Sequence, residues 1–200
     1  MRAIVVTHPT PKNIRELINI TQDDYVIAVD QAVANLIDQS IRIDLAVGDF
    51  DSLERQALLE GLEVVKLDSV KDVTDTHQAL YEAEKRGYQT FLLIGGFGGK
   101  RVEHFIANMM HFKRFDDLTM INENSKIYIK KTGKYEIESK DYVSLFAYPE
   151  ATITLLGFKY PLEGYQLTTF DPLGISNELI KKTGTLMVHQ GTVLVVESKK

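Results

Sequence analysis

The 200-residue sequence contains no cysteine. That excludes a disulfide framework and any thiolate-bound metal. No stretch approaches the roughly 20 consecutive apolar residues that a spanning helix needs, so no membrane association is expected. The opening "MRAIVVTHPT" has too short an apolar run for a secretion signal, and a cytoplasmic address is expected. A basic excess is missing as well. The formal net charge is −5, whereas a nucleic-acid partner calls for a positive surface. Internal repeats, linkers and low-complexity tracts are also absent. What remains is an ordinary globular composition, 44% apolar and 26% charged, in a chain long enough to bury a sizeable core.

The first half alternates between two periodicities. Strands are expected at 3–7, 25–30, 43–49, 63–68 and 90–96. Helical spacing of apolar residues falls at 13–20, 32–39, 53–61, 74–87 and 101–114. Such alternation implies a mostly parallel, Rossmann-like sheet with covering helices. The second half changes character. "KIYIKK", "KYEIES", "YVSLFAY", "ATITLLGF", "TLMVH" and "TVLVVES" are short segments rich in β-branched and aromatic residues. "TGK" (132–134) and "HQG" (189–191) stand where hairpin turns are expected. This reads as an all-β sandwich or barrel. The expected division is an α/β domain over 1–122 and a β-sandwich over 123–200.

In an open parallel sheet, ligands sit beyond the carboxyl ends of the strands. Asp30 closes the second strand and Asp49 the third, with Asp51 two residues on. Asp72 and Asp75 lie between the fourth strand and its helix, and Gly95 and Gly96 close the fifth. Each acid alone has a plain structural reading, as a turn former, a helix cap or a first-turn acid. Their convergence on one sheet edge points further. Like charges held together raise each other's pKa unless a cation offsets them, and a hard cation such as magnesium takes carboxylates together with substrate phosphates. "GGFGGKR" (95–101) adds a second constellation. Its glycines allow close backbone approach to a phosphate, a helix start follows, and Lys100 and Arg101 bring charge. It is neither a G-x-x-x-x-G-K-[ST] loop nor a G-x-G-x-x-G loop.

Taken together, "VGDFDS" (47–52), "KDVTDTHQAL" (71–80), "GGFGGKRVEHFIANM" (95–109) and "GISNE" (174–178) resemble the thiamine pyrophosphokinases in order and spacing. The resemblance implies a catalytic α/β domain followed by a β-sandwich that binds thiamine and dimerises. It implies diphosphate transfer from ATP to thiamine, with magnesium as cofactor. It also implies a homodimer in which thiamine lies between the sandwich of one chain and the catalytic domain of the other. By position, Asp30, Asp49, Asp51 and Asp75 match metal-facing acids. Lys71, Thr74, Gly98, Gly99, Lys100, Arg101 and His104 fall to the ATP side, and Ser176 and Asn177 to thiamine. Asp49, Asp75 and Arg101 are the expected catalytic residues, with either acid open as the proton acceptor. Two departures stand out: Gln31-Ala32 where the family often has Gly-Gly, and Glu103 where it often has Asp.

Two other functions fit parts of the pattern. A strand followed by Asp-x-Asp also opens aspartyl-phosphate phosphatases, although those usually carry it on the first strand. A ligand sensor that kept the pocket would bind but release no AMP.

Overall fold

Short aliphatic runs build the core of the first half. β1 (Ala3–Thr7), β2 (Tyr25–Val29) and β5 (Phe91–Gly95) are buried along almost their whole length, as strands covered on both faces are. The computed structural model describes residues 1–68, 72–169 and 171–200. They divide into two units, Met1–Glu123 and Asn124–Lys200, the first with parallel and the second with antiparallel strand pairing.

The first unit adds β3 (Leu45–Gly48), β4 (Val64–Lys66) and β6 (Leu118–Ile121). The order is β4-β3-β2-β1-β5-β6, with every pairing parallel. From β1 the chain builds outward on one side through β2, β3 and β4. It then returns to place β5 and β6 on the other side. The carboxyl ends of β1 and β5 therefore flank a topological switch point, where a crevice opens. The helices are α1 (Ile14–Leu17), α2 (Ala32–Asp38), α3 (Asp75–Lys85) and α4 (Val102–Met109). α3 and α4 carry the residues that matter below. The rings of His77 of α3 and His111 lie with centroids 5.4 Å apart, tilted by 44°. Burial, with His77 beside it, pulls the His111 imidazole down to about 4, so it is neutral at physiological pH.

Several expected elements are shorter. The helix predicted over 13–20 is the single turn α1, because Ile18 turns extended (φ −146°, ψ 152°) and packs with Ile20 on the core in that form. The helix predicted over 53–61 is a 3-10 turn, Gln56–Leu59. Here Gln56 Nε2 donates to the Phe50 and Leu53 carbonyls at 2.7 and 3.0 Å, closing the preceding segment as a turn. α4 gives way to a 3-10 turn at Met110–Lys113, and β6 was not expected from the sequence at all.

The second unit contains β7 (Ser125–Glu138), β8 (Tyr142–Leu156), β9 (Leu162–Leu167) and β10 (Thr183–Ser198). Their order is β7-β10-β8-β9 and all pairings are antiparallel. The six expected segments are thus three long strands, and no hairpin turn forms at 132–134 or 189–191. The glycine signal at 191 marks a bulge instead. A Cβ on Gly191 would lie 2.0 Å from the Glu150 carbonyl oxygen, and the register slips on both flanks of β10 there. A bulge and a turn need the same permissive residue. Val143, Leu145, Ile153, Leu155, Phe158, Leu186, Val193 and Val195 fill the core of this unit. Among the described residues no helix is long and apolar enough to cross a membrane.

Candidate active site

The crevice at the switch point is a cavity of about 560 Å³ in the first unit. Its wall includes Thr7 and His8 at the end of β1, Asp30 and Gln31 after β2, Thr74 and Asp75 at the start of α3, and Gly96, Gly98, Gly99, Lys100, Arg101 and His104 around the turn into α4. Acids therefore stand on one side and a cationic glycine loop on the other.

Asp30 is held by main-chain geometry. It takes a left-handed φ of 47°, its N–H donates to the Val47 carbonyl at 3.1 Å, and its Oδ1 accepts from the Phe50 N–H at 3.2 Å. The carboxylate sits in space that any side chain at Gly48 would occupy: a Cβ there would be 1.9 Å from Asp30 Oδ1. Asp75 is the first residue of α3. That helix start is capped by Thr74, whose hydroxyl accepts from the His77 N–H at 3.1 Å. Thr74, expected on the ATP side, thus lines the cavity while its hydroxyl serves the helix.

Between Asp49 and Asp51 stands Phe50, the plug of the turn. Its side chain is buried and its φ is +61°, a costly conformation for an aromatic residue. Gln56 clamps its carbonyl from below. The Asp51 N–H donates to Asp49 Oδ1 at 3.1 Å. Neither acid lines the cavity wall, where their neighbour Ser52 does. Lys71 lies outside the described residues.

Across the cavity, Arg101 Nε donates to Glu103 Oε1 at 3.0 Å, both side chains being largely exposed. Hydrogen bonding to its own backbone amide, then to Arg101, holds the Glu103 carboxyl below its ordinary range. Glu103 therefore parks the guanidinium in an exposed pair, which is weak in water and readily exchanged for a phosphate.

The acids offer hard oxygen donors. Among the described residues no three acidic or histidine side chains converge as a metal cage. That donor set suits a cation that keeps water and takes most of its remaining ligands from a bound phosphate.

In the second unit, the two residues expected to face thiamine differ sharply. Ser176 is exposed with φ +55°, and its N–H donates to Ser144 Oγ at 3.0 Å. Asn177 is buried. Its Nδ2 donates to the Tyr160 carbonyl at 2.8 Å, and its Oδ1 accepts from the Tyr160 and Glu178 N–H groups at 3.1 and 2.9 Å. Its side chain is committed to the fold. Sequence reasoning also missed Thr7, Thr76, Gln56 and Asn108. Thr7 and Thr76 meet through their buried hydroxyls at 3.1 Å, tying the end of β1 to the residue after Asp75.

A family model described as thiamin pyrophosphokinase, catalytic domain, matches residues 18–129, and one described as its vitamin B1 binding domain matches residues 124–193. A thiamine pyrophosphokinase of Bacillus subtilis (strain 168) is 32% identical over 214 residues, covering 99% of each chain. The crystal structure of a Bacillus subtilis thiamine pyrophosphokinase matches with a TM-score of 0.88 at 28% identity over 100% of both chains. That of a thiamin pyrophosphokinase from Geobacillus thermodenitrificans matches with a TM-score of 0.86 at 26% identity, over 100% of this chain and 98% of the other.

Proposed function

The chain belongs to the thiamin pyrophosphokinase family, and on that premise we propose that it transfers diphosphate from ATP to thiamine, giving thiamine diphosphate and AMP. In this reaction the thiamine hydroxyl oxygen bonds to the β-phosphorus. The bond from that phosphorus to the bridging oxygen of AMP breaks, and the hydroxyl proton passes to a base. The observation that carries the reading is the switch-point cavity, where Asp30 and Asp75 face Gly98, Gly99, Lys100 and Arg101.

Phosphoryl-type transfer is mostly positioning and charge neutralisation. In our reading Arg101 leaves Glu103 for the phosphates, Lys100 adds charge, and His104 donates from the first turn of α4. Asp30 and Asp75 would hold magnesium, with Asp49 and Asp51 on the turn beside them. Bound magnesium neutralises charge on the phosphate oxygens. Asp75, at the cavity wall, accepts the hydroxyl proton. Ser176 presents its hydroxyl to thiamine, and Asn177 fixes the strained turn that exposes it. The switch point supports a Rossmann-like reading of the first unit, and the long bulged strands support a sandwich reading of the second. Incubation with ATP, magnesium and thiamine should yield AMP and thiamine diphosphate in equal amounts, and chelator should stop both. Release of ADP, or binding without AMP, would overturn the assignment.

We further propose a cytoplasmic homodimer in which thiamine is bound by residues of both chains. An Arg101→Ala chain and a Ser176→Arg chain should each be nearly inactive alone. After subunit exchange at equal ratio, about a quarter of native activity should return, because mixed dimers of a two-fold assembly hold one intact site. No recovery in exchanged mixtures would show that each chain builds its own site. Recovery of the activity in a membrane pellet after cell fractionation would contradict the address.

A further inference from the structure

α4 leaves one apolar stripe in solvent. Val102, Ile106 and Met110, spaced four residues apart, are 62%, 51% and 61% exposed, although an apolar stripe ordinarily faces the core. Phe105 and Met109 are half-buried, and polar residues share that side with them. Arg101 and His104 line the cavity, and Asn108, one turn beyond His104 on the same face, is buried at 3% exposure. Asn108 Nδ2 donates to the Gly96 carbonyl at 2.8 Å. The fit is close: a Cβ on Gly96 (φ +74°) would lie 2.6 Å from that nitrogen. A second amide works beside it, Asn122 Nδ2 donating to the Phe97 carbonyl at 3.4 Å. The glycine loop is thus stitched at its start to the last turn of the helix that begins at its end.

We infer that Asn108 is a positioning residue: its bond to Gly96 locks the rotation of α4, so that the Arg101–His104 face meets the cavity and the apolar stripe faces out. The lock is a property of the first unit alone. Its consequence for catalysis rests on the reading of the cavity as the ATP-phosphate site.

The absence of cysteine makes a single introduced thiol a clean reporter. In an Ile106→Cys chain, maleimide should label rapidly. Adding Asn108→Asp, which places a carboxylate against the Gly96 carbonyl, should slow labelling severalfold as the helix turns Cys-bearing position 106 inward. Asn108→Ala, which merely removes the donor, should slow it less. In an otherwise native chain Asn108→Asp should lower kcat/KM for ATP about a hundredfold, the scale of a small misplacement, and leave KM for thiamine unchanged. Acidification should raise the activity of Asn108→Asp relative to native, because a protonated carboxyl regains an O–H donor for Gly96. The native chain over the same pH range is the reference. Unchanged labelling in both variants, or a ratio flat with pH, overturns the lock; should Asn108→Asp fail to fold, the labelling of Asn108→Ala decides. Slowed labelling with unchanged ATP kinetics would uphold the lock and overturn the reading of the cavity.

Discussion

Asp75→Asn should lower turnover on the order of a hundred- to a thousandfold, the loss typical when one preorganised charge is removed from a phosphoryl-transfer site. The protein should nevertheless fold. Asp75 opens α3, but the helix start is capped by Thr74 and anchored by the Thr7–Thr76 contact. Losing a first-turn acid costs about 0.3–1 kcal/mol. For a chain of this size that lowers the melting temperature by at most about 4 °C. Steady-state kinetics and a thermal melt on one preparation separate the two effects. Asp51→Asn should do less damage, since Asp51 is exposed and stands off the cavity wall. An Asp75→Asn enzyme that turns over within about threefold of native, or one damaged less than Asp51→Asn, would remove Asp75 from the mechanism.

Gly48→Ala should also abolish activity, through a residue that touches no substrate. The added methyl group would collide with Asp30 Oδ1 at 1.9 Å and Cγ at 2.7 Å. Asp30's backbone is held by Val47, so its carboxylate can retreat only by giving up the Phe50 N–H. The collision therefore expels the carboxylate, strips Phe50 of its acceptor and loosens the Asp49–Asp51 turn. The expected loss of stability is about 1–3 kcal/mol, the range for overpacking a tight site. A double mutant distinguishes this cause from general damage. Asp30→Ala in the Gly48→Ala background should recover part of the stability, because the backbone strain of a side chain at φ +154° remains, and none of the activity. If the double mutant is no more stable than Gly48→Ala, the collision is not what destabilises the single variant.

The parallel half was legible because its signals are local. Short apolar runs, helical spacing and strand-end acids each occupy a few consecutive residues, and the sheet rule turns them into a shared edge. What escaped notice were side chains acting on distant backbone. Asn108, Gln56 and Asn177 hold carbonyls 12, 6 and 17 residues away, and no periodicity marks an amide with that task. α4 misleads for a related reason: Val102, Ile106 and Met110 face outward although they keep helical spacing. In the antiparallel half, "TGK" and "HQG" carry the same glycine signal whether the chain reverses or merely bulges. The decision belongs to which strands lie alongside, and that is not written within the segment itself. The sequence pairs Ser176 and Asn177 as equals, whereas the Asn177 amide is spent on the Tyr160 and Glu178 backbone and Ser176 is exposed.

The central position of β10 has a consequence for synthesis. β10 pairs with β7 along one edge and with β8 along the other, over nearly its whole length. It comes after both in the chain. A ribosome therefore delivers β7, β8 and β9 before the strand that joins β7 to β8 exists. Until β10 emerges, two long hydrogen-bonding edges stand open, the condition under which strands pair with the wrong chain. A nascent chain halted before residue 183 lacks the middle of its second sheet, a more aggregation-prone state than one missing an edge.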